Sequence, residues 1–570
     1  MKLIAGKRVK FLSGLIVLLG LILLSRLYLL QVVSGDFFKD KADRQYVSPA
    51  ENIFNRGNIY FSDKDGNLVS AATLKTGFIL AISPKLLENP EDAYNKINSI
   101  HPIAGDVFAG KAALKNDPYE EIAHRLPEEI GQKISQLKIP GVIIEKERWR
   151  YYPGDSLGAH VLGFVGFKGD ALSGRYGLER YYNDVLSRDE GDLYTNFFAQ
   201  IFSKVKTVIS ERELKGEGDL VLTLEPSVEA YLQSQLKKVR DEYKAESVGG
   251  VIMNPQNGEI YAMGALPDFN PNTFNEEIDL KVFGNPLVES IHEMGSIIKP
   301  LTMAAGLDSK VIRPETTYED KGTITLDKKT ISNYDGKARG VVPMQQILSQ
   351  SLNVGAAFVA QKLGNERFAE YMKNYGFGEE TGIDLPGEVR GHLDNLKSNK
   401  DVEYATAAFG QGIAMTPIET VRALASLGNG GILITPHVVK EIRYNVGVSR
   451  TLSYGDGKQV LSKETSDAIT GMLVSVVDKA LLNGKIKMDH YSIAAKTGTA
   501  QVANPAGGGY YTDRYLHSFF GYFPAYSPQF IVFFYLYYPK GIQYASETLT
   551  VPFSETAKFL INYYNIPPDR

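Results

Sequence analysis

Apolar and polar positions change their period several times along the chain, and each change marks an element. Residues 11–33, FLSGLIVLLGLILLSRLYLLQVV, are apolar almost without a break, and Lys2, Lys7, Arg8 and Lys10 precede them. About 20 such residues cross a bilayer, so the run reads as a single transmembrane anchor. A cleaved signal peptide would have a shorter apolar core and a small-residue cleavage site, which residues 32–36 do not supply. The preceding cations leave residues 1–10 as a short cytoplasmic tail and send everything after residue 33 across the membrane. Arg26 stands towards the outer end of the run, which admits two readings: its stem carries the charge to the interface, or it makes a polar contact to a partner's membrane helix.

Beyond the anchor the pattern shortens. NRGNIYFSDKDGNLVS reads as two short strands across Asp65-Gly66. PEDAYNKINSI and PEEIGQKISQL read as helices opening after proline. Residues 34–225 thus form a mixed α/β region with many turns. LVLTLEPSVEAYLQSQLKKVRDEY passes from a strand into an amphipathic helix from Pro226 to Tyr243, with Val228, Leu232 and Leu236 on one face. Residues 226–245 connect to a second domain, 246–567. That domain opens on a hairpin, GGVIMNPQNGEIYAMGA, around Asn257-Gly258. Two more strand-like runs, SFFGYFPA and FIVFFYLYY, lie far downstream, and the chain closes on a helix, SETAKFLINYYNI. First and last strands from one sheet, with helices inserted between them, predict an α+β fold.

Composition narrows the chemistry. The chain has 570 residues, too many for one ordinary domain. Its net charge of −4 gives no electrostatic reason to expect nucleic acid. It has no cysteine, which removes disulfides, thiolate catalysis and cysteine-ligated zinc. Its eight histidines show no HExxH spacing, so a zinc protease has no support.

Three stretches carry candidate chemistry. In HEMGSIIKPLTMAAGL, Ser296 and Lys299 stand at i and i+3 on a helix start and share a face. A serine hydroxyl needs a base, and a lysine serves as one only when burial or a nearby cation keeps it neutral. The free N–H groups of a helix start would help hold an oxyanion. Pro300 sits a turn inside, where its missing N–H deprives the Ser296 carbonyl of its ordinary helical partner. In SQSLNVGAAFVAQKLG, Ser351 and Asn353 stand just before an apolar helix. In YSIAAKTGTAQV, a strand brings Lys496 and Gly498 to one face. There Lys496 offers a cation and Gly498 leaves room for a substrate backbone. Taken singly, these are a surface Ser and Lys, a pair of helix caps and a strand bulge.

Together they stand in the order S-x-x-K, S-x-N, K-T-G. That order resembles the motif set of penicillin-binding proteins and serine β-lactamases. The chain resembles a class B penicillin-binding protein, a monofunctional peptidoglycan D,D-transpeptidase, over nearly its whole length. NRGNIY and YGLERYYNDVL are similar to motifs of that family's pedestal, also called its dimerisation domain. NPQNGEIYAMGALPDFNPN, GIDLPGE and AAFGQGIAMTPIE are similar to motifs flanking its transpeptidase site. Met294, Ile298 and Glu225 depart from the family's usual residues at positions that touch no catalytic role.

The resemblance implies a penicillin-recognising serine transpeptidase fold: an antiparallel sheet flanked by helices, a helical lobe, an N-terminal pedestal and one membrane anchor. It implies Ser296 as acyl-accepting nucleophile and Lys299 as its base. Ser351 would relay protons, and Asn353 would bind the substrate backbone and position Lys299. Lys496 would hold the stem-peptide carboxylate and keep Lys299 neutral. Thr497 and Thr499 would hydrogen-bond that carboxylate beside Gly498, although strand alternation alone does not bring Thr497 to the Lys496 face. The backbone N–H groups of Ser296 and Thr499 would form the oxyanion hole. The implied acyl transfer requires neither a cofactor nor a metal. The implied partners are D-Ala-D-Ala stem peptides with an amine acceptor, β-lactams, the membrane and a polytopic glycosyltransferase, in wall synthesis at division or elongation. Two rivals are a hydrolase of the D,D-carboxypeptidase or β-lactamase type and a non-catalytic β-lactam sensor or scaffold. The E-x-x-L-N stretch of class A β-lactamases is missing between residues 353 and 496.

Overall fold

The computed structural model describes residues 54–169, 171–188, 216–444, 447–504, 506 and 508–570. The anchor reading of residues 11–33 falls outside them. Among the described residues no helix is long and apolar enough to cross a membrane. Contacts divide the chain into two units: Lys75–Trp149, and Asn55–Leu74 with Arg150–Arg570.

The first hairpin forms across Asp65-Gly66 as the sequence predicts, from β1 (Ile59–Ser62) and β2 (Leu68–Ile82). Only β1 is short. β2 runs for 15 residues, because its last residues meet a second partner. In the smaller unit Phe78–Ile82 pairs with β3 (Glu120–Leu126). Three helices cover that pairing: α1 (Pro90–Ile100), α2 (Gly105–Ala112) and α3 (Glu128–Gln136). Their core holds Leu80, Ile82, Ile97, Phe108, Leu126 and Ile134. Asn89 caps α1 through the Asp92 N–H, and Pro90 sits at the first turn, where no N–H is missed.

In the larger unit β4 (Gly218–Leu222) runs parallel to β1 and leads into α4 (Pro226–Tyr243). A five-stranded antiparallel sheet follows. It is built from β5 (Ser247–Met253), β6 (Ile260–Leu266), β7 (Ala494–Ala503), β8 (Tyr510–Phe523) and β9 (Phe530–Tyr537), in the order β7-β8-β9-β5-β6. The early hairpin and the late strands therefore share one sheet, with the intervening helices inserted between them. α5 (Lys299–Asp308), α6 (Asn353–Leu363) and α7 (Lys463–Ser475) come from that insertion, and α8 (Thr550–Tyr563) closes the chain.

Both faces of the sheet are covered, which explains why the last five residues of β8, Phe519–Phe523, and nearly all of β9 are apolar or aromatic and buried. Phe519, Phe523, Val532 and Phe534 pack in one core with Val228, Leu232 and Leu236 of α4 and Leu560 of α8. Their neighbours Phe520, Tyr522, Phe533 and Tyr535 belong to a second core with Leu301 and Ala304 of α5 and Val359 of α6. The sheet thus carries α4 and α8 on one side and the helical lobe on the other. β7 ends the sheet, and its last neighbour in the order is β8.

Candidate active site

Ser296 does not sit in an α-helix. Residues Gly295–Ile298 form a 3₁₀ turn, and α5 begins only at Lys299. The Lys299 N–H bonds the Ser296 carbonyl three residues back. The expected loss of that carbonyl's partner to Pro300 is therefore corrected. A 3₁₀ turn takes its donor from i+3, and Pro300 falls in the first turn of α5, where an N–H has no intrahelical acceptor. Gly295 makes the turn possible. Its φ is +65°, and a Cβ there would lie 2.8 Å from the Thr499 carbonyl oxygen. Its N–H donates to the Gly410 carbonyl at 3.1 Å.

Lys299 points inward from the next turn and is 1% exposed. Its Nζ lies 2.6 Å from the Ser351 carbonyl oxygen, 3.2 Å from Ser351 Oγ and 2.8 Å from Asn353 Oδ1. The Phe409 ring lies below it at 5.9 Å. From the opposite wall Lys496 Nζ donates to Ser351 Oγ at 3.1 Å and to its neighbour's carbonyl, that of Thr497, at 2.9 Å. One serine hydroxyl thus bridges two buried amines.

Burial, and then the charge of Lys496, hold the Lys299 ammonium well below the ordinary lysine range. Burial brings Lys496 down to about 7. The two amines cannot both be charged cheaply in this space. Lys299 bears the Lys496 charge in addition to its own burial, so it is the amine pushed towards the neutral form. A neutral amine one turn from a serine hydroxyl, with a cation across the cleft, is a general-base arrangement for acyl transfer.

The third stretch lies on β7, at the sheet's edge. Lys496 and Gly498 are buried while Thr497 and Thr499 are half-buried, so strand alternation holds. Gly498 differs from expectation. A Cβ there would lie 2.3 Å from Ser518 Oγ and 2.7 Å from the Met294 carbonyl oxygen. Its missing side chain admits the turn that carries Ser296 rather than a substrate backbone. Ser518 Oγ also donates to that Met294 carbonyl at 2.8 Å. Thr499 Oγ1 accepts the Ala545 N–H at 3.1 Å, which leaves its hydroxyl proton to donate elsewhere. Ser296, Lys299, Ser351, Asn353 and Lys496–Thr499 thus converge from a 3₁₀ turn, a helix start and a strand edge. Sequence reasoning passed over Gly410, Phe409 and Ser518, which shape the floor. The stretch AAFGQGIAMTPIE held the signal for the first two, and Ser518 had none.

A family profile described as the penicillin binding protein transpeptidase domain matches residues 248–555. The chain belongs to the penicillin-binding protein transpeptidase family. A second profile, the penicillin-binding protein dimerisation domain, matches residues 53–217. Among its relatives, Stage V sporulation protein D of Bacillus subtilis is 31% identical over 558 residues, 96% of this chain and 84% of that one. Peptidoglycan D,D-transpeptidase FtsI of Buchnera aphidicola subsp. Baizongia pistaciae is 25% identical over 99% of this chain and 96% of its own. The crystal structure of penicillin binding protein 3 from Mycobacterium tuberculosis, complexed with aztreonam, has the same fold. Its TM-score is 0.68 at 23% identity, covering 91% of this chain and 98% of that one.

Proposed function

We propose that the protein is a peptidoglycan D,D-transpeptidase working through a serine acyl-enzyme. The observation that carries this is the buried Lys299 amine, one turn after Ser296 and joined through the Ser351 hydroxyl to Lys496, where burial and that second amine favour its neutral form. Ser296 Oγ attacks the D-Ala-D-Ala amide of one stem peptide as Lys299 takes its proton. The backbone N–H groups of Ser296 and Thr499 stabilise the oxyanion. Ser351, between the two amines, passes a proton to the departing D-alanine. An amine of a second stem then attacks the ester, its proton returns by the same route, and the cross-link forms as Ser296 is released.

The edge position of β7 supports a donor peptide bound as an added strand. Lys496, Thr497 and Thr499 hold its terminal carboxylate, and Asn353 holds its backbone. The aztreonam complex of the similar Mycobacterium tuberculosis protein supports β-lactams as acylating mimics of that donor. The apolar run at 11–33 and the cations before it support a single-pass anchor with a cytoplasmic N-terminus and an extracytoplasmic catalytic domain; a polytopic glycosyltransferase partner in the same membrane rests on the family resemblance alone.

The test separates transfer from hydrolysis. The full chain in detergent is given a D-Ala-D-Ala thioester analogue with and without a D-amino acid acceptor. The reading expects the aminolysis product to dominate once acceptor is present. Hydrolysis alone at every acceptor concentration would favour a D,D-carboxypeptidase, and no turnover with no acyl-enzyme would favour a scaffold.

A further inference from the structure

Ser351 has φ +55°, a left-handed backbone that a serine rarely adopts. Such a conformation persists only where its surroundings over-determine it. Here it closes the helix Met344–Ser349: the Leu352 N–H bonds the Ile347 carbonyl at 3.0 Å across it. The residues on either side of Ser351 are held by a separate segment, 317–343, to which the catalytic reading gives no task. It folds as two antiparallel pairs, Thr317–Asp320 with Gly340–Pro343 and Thr323–Leu326 with Lys329–Ser332.

Three contacts reach from this segment onto Gln350, Asn353 and Val354, which flank the Ser351 turn. The Ser332 carbonyl accepts Asn353 Nδ2 at 2.9 Å, which turns Asn353 Oδ1 towards Lys299. Asn333 Oδ1 accepts the Val354 N–H at 3.2 Å, one of the donors that the start of α6 would leave unpaired. Arg339 Nε donates at 2.8 Å to Oε1 of Gln350, the residue before Ser351.

Each contact is itself held. Asn333 is 3% exposed, and its Nδ2 donates to both carboxylate oxygens of Asp320 at 3.0 and 2.9 Å. Asp320, 1% exposed, also accepts the Arg339 N–H at 3.1 Å and the Gly322 N–H at 3.3 Å. The Arg339 fork closes on Asp335 at 3.1 and 2.8 Å.

We propose that Asp320, Asn333 and Arg339 are positioning residues for acyl transfer. They form a bracket that holds the Ser351–Asn353 turn where its three oxygens meet Lys299 Nζ. The proposal rests on the reading of Ser296 as nucleophile and Lys299 as base. The bracket touches neither, and acts only through the turn.

This has a consequence that mere stability does not. The Ser351 carbonyl and Asn353 Oδ1 accept from Lys299 and so favour its protonated form. The charged group facing Lys299 from the neighbouring elements is Lys496 on β7, and the loop below contributes only the Phe409 ring. A relaxed turn withdraws the acceptors and leaves the opposing cation in place. Lys299 then loses its proton at lower pH, while Ser351 moves away from its relay position.

The test uses the full chain in detergent and the acylation rate by benzylpenicillin from pH 5 to 10. Wild type, Asn333→Ala and Arg339→Ala are compared, each with a thermal melt. Both variants are expected to acylate about 10- to 100-fold more slowly at the plateau. Their acid limb should move to lower pH by about half to one pH unit. A smaller folded fraction would scale the profile and leave the limb where it was. Arg339 lies outside the core, with a side chain 14% exposed, and so keeps the test open should Asn333→Ala fail to fold. A folded variant with the wild-type rate, or one slowed with an unmoved limb, would overturn the bracket. A wild type that never labels at Ser296 would instead overturn the functional reading and the bracket with it.

Discussion

Two buried lysines bridged by one serine hydroxyl are costly for the fold. Lys496 binds its proton at about 7 in the folded chain, against about 10.4 in an unfolded one. The unfolded state therefore binds more protons between those values, so folding stability rises with pH across that window and is lost as pH falls towards 7. Lys496→Met removes the penalty along with two hydrogen bonds. We expect it to stabilise the protein by about 1–3 kcal/mol at pH 7 and to flatten the rise in stability between pH 7 and 10. The same variant should lose carboxylate binding and be acylated poorly. A melting temperature that falls at pH 7 would contradict this. Lys299→Ala should slow acylation by about 10²–10⁴-fold, the ordinary weight of a general base, in a chain that still melts cooperatively. An acylation rate within a few-fold of wild type would remove Lys299 from the role of base.

At the level of elements, the site depends on close approach between the Ser296 turn, the loop at Gly410 and the edge strand β7. Gly295 is the pinch point, being required by its φ and by the Thr499 carbonyl together. Gly295→Ala should cost about 1–3 kcal/mol of stability and abolish acylation, because the turn can only relax by moving Ser296. Denaturant melts and penicillin labelling check both halves, and a stable, fully acylated variant would contradict the packing. Much of this was legible in the sequence. The helix Pro226–Tyr243 forms with its expected ends, since Glu225 caps it and Pro226 fits the first turn. The Asp65-Gly66 and Asn257-Gly258 hairpins form where their turn residues stand. Local pattern cannot carry the rest. The 3₁₀ turn at Ser296 is fixed by contacts with residues more than a hundred positions away, and the residues flanking Ser351 are held by another segment. The 317–343 bracket has strands of only four residues each, and Asn333 and Arg339 read as ordinary polar residues until the fold brings them beside the Ser351 turn.

For the whole molecule, a buried ion cluster joins distant parts of the larger unit. Glu179 is fully buried and meets Arg56 Nε and Arg150 Nε, each at 2.5 Å. Tyr152 donates to it at 3.2 Å. Burial alone would raise its carboxyl, but the Arg150 and Arg56 charges outweigh that and hold it below the ordinary range. Its contribution is present above the unfolded carboxylate pKa and is lost as pH falls below about 4.3. Glu179→Gln leaves two buried cations without their anion and should cost about 3–5 kcal/mol at neutral pH. Denaturant melts of the variant at pH 7 and pH 4 should differ from wild type less at the lower pH, and a pH-independent difference would count against the cluster. The central claim concerns one atom, Ser296 Oγ, and peptide mapping of the full chain after benzylpenicillin tests it most directly. We predict a single penicilloyl adduct on the peptide containing Ser296, stable for hours and missing from Ser296→Ala. An adduct on another residue, or one that persists in Ser296→Ala, would contradict it.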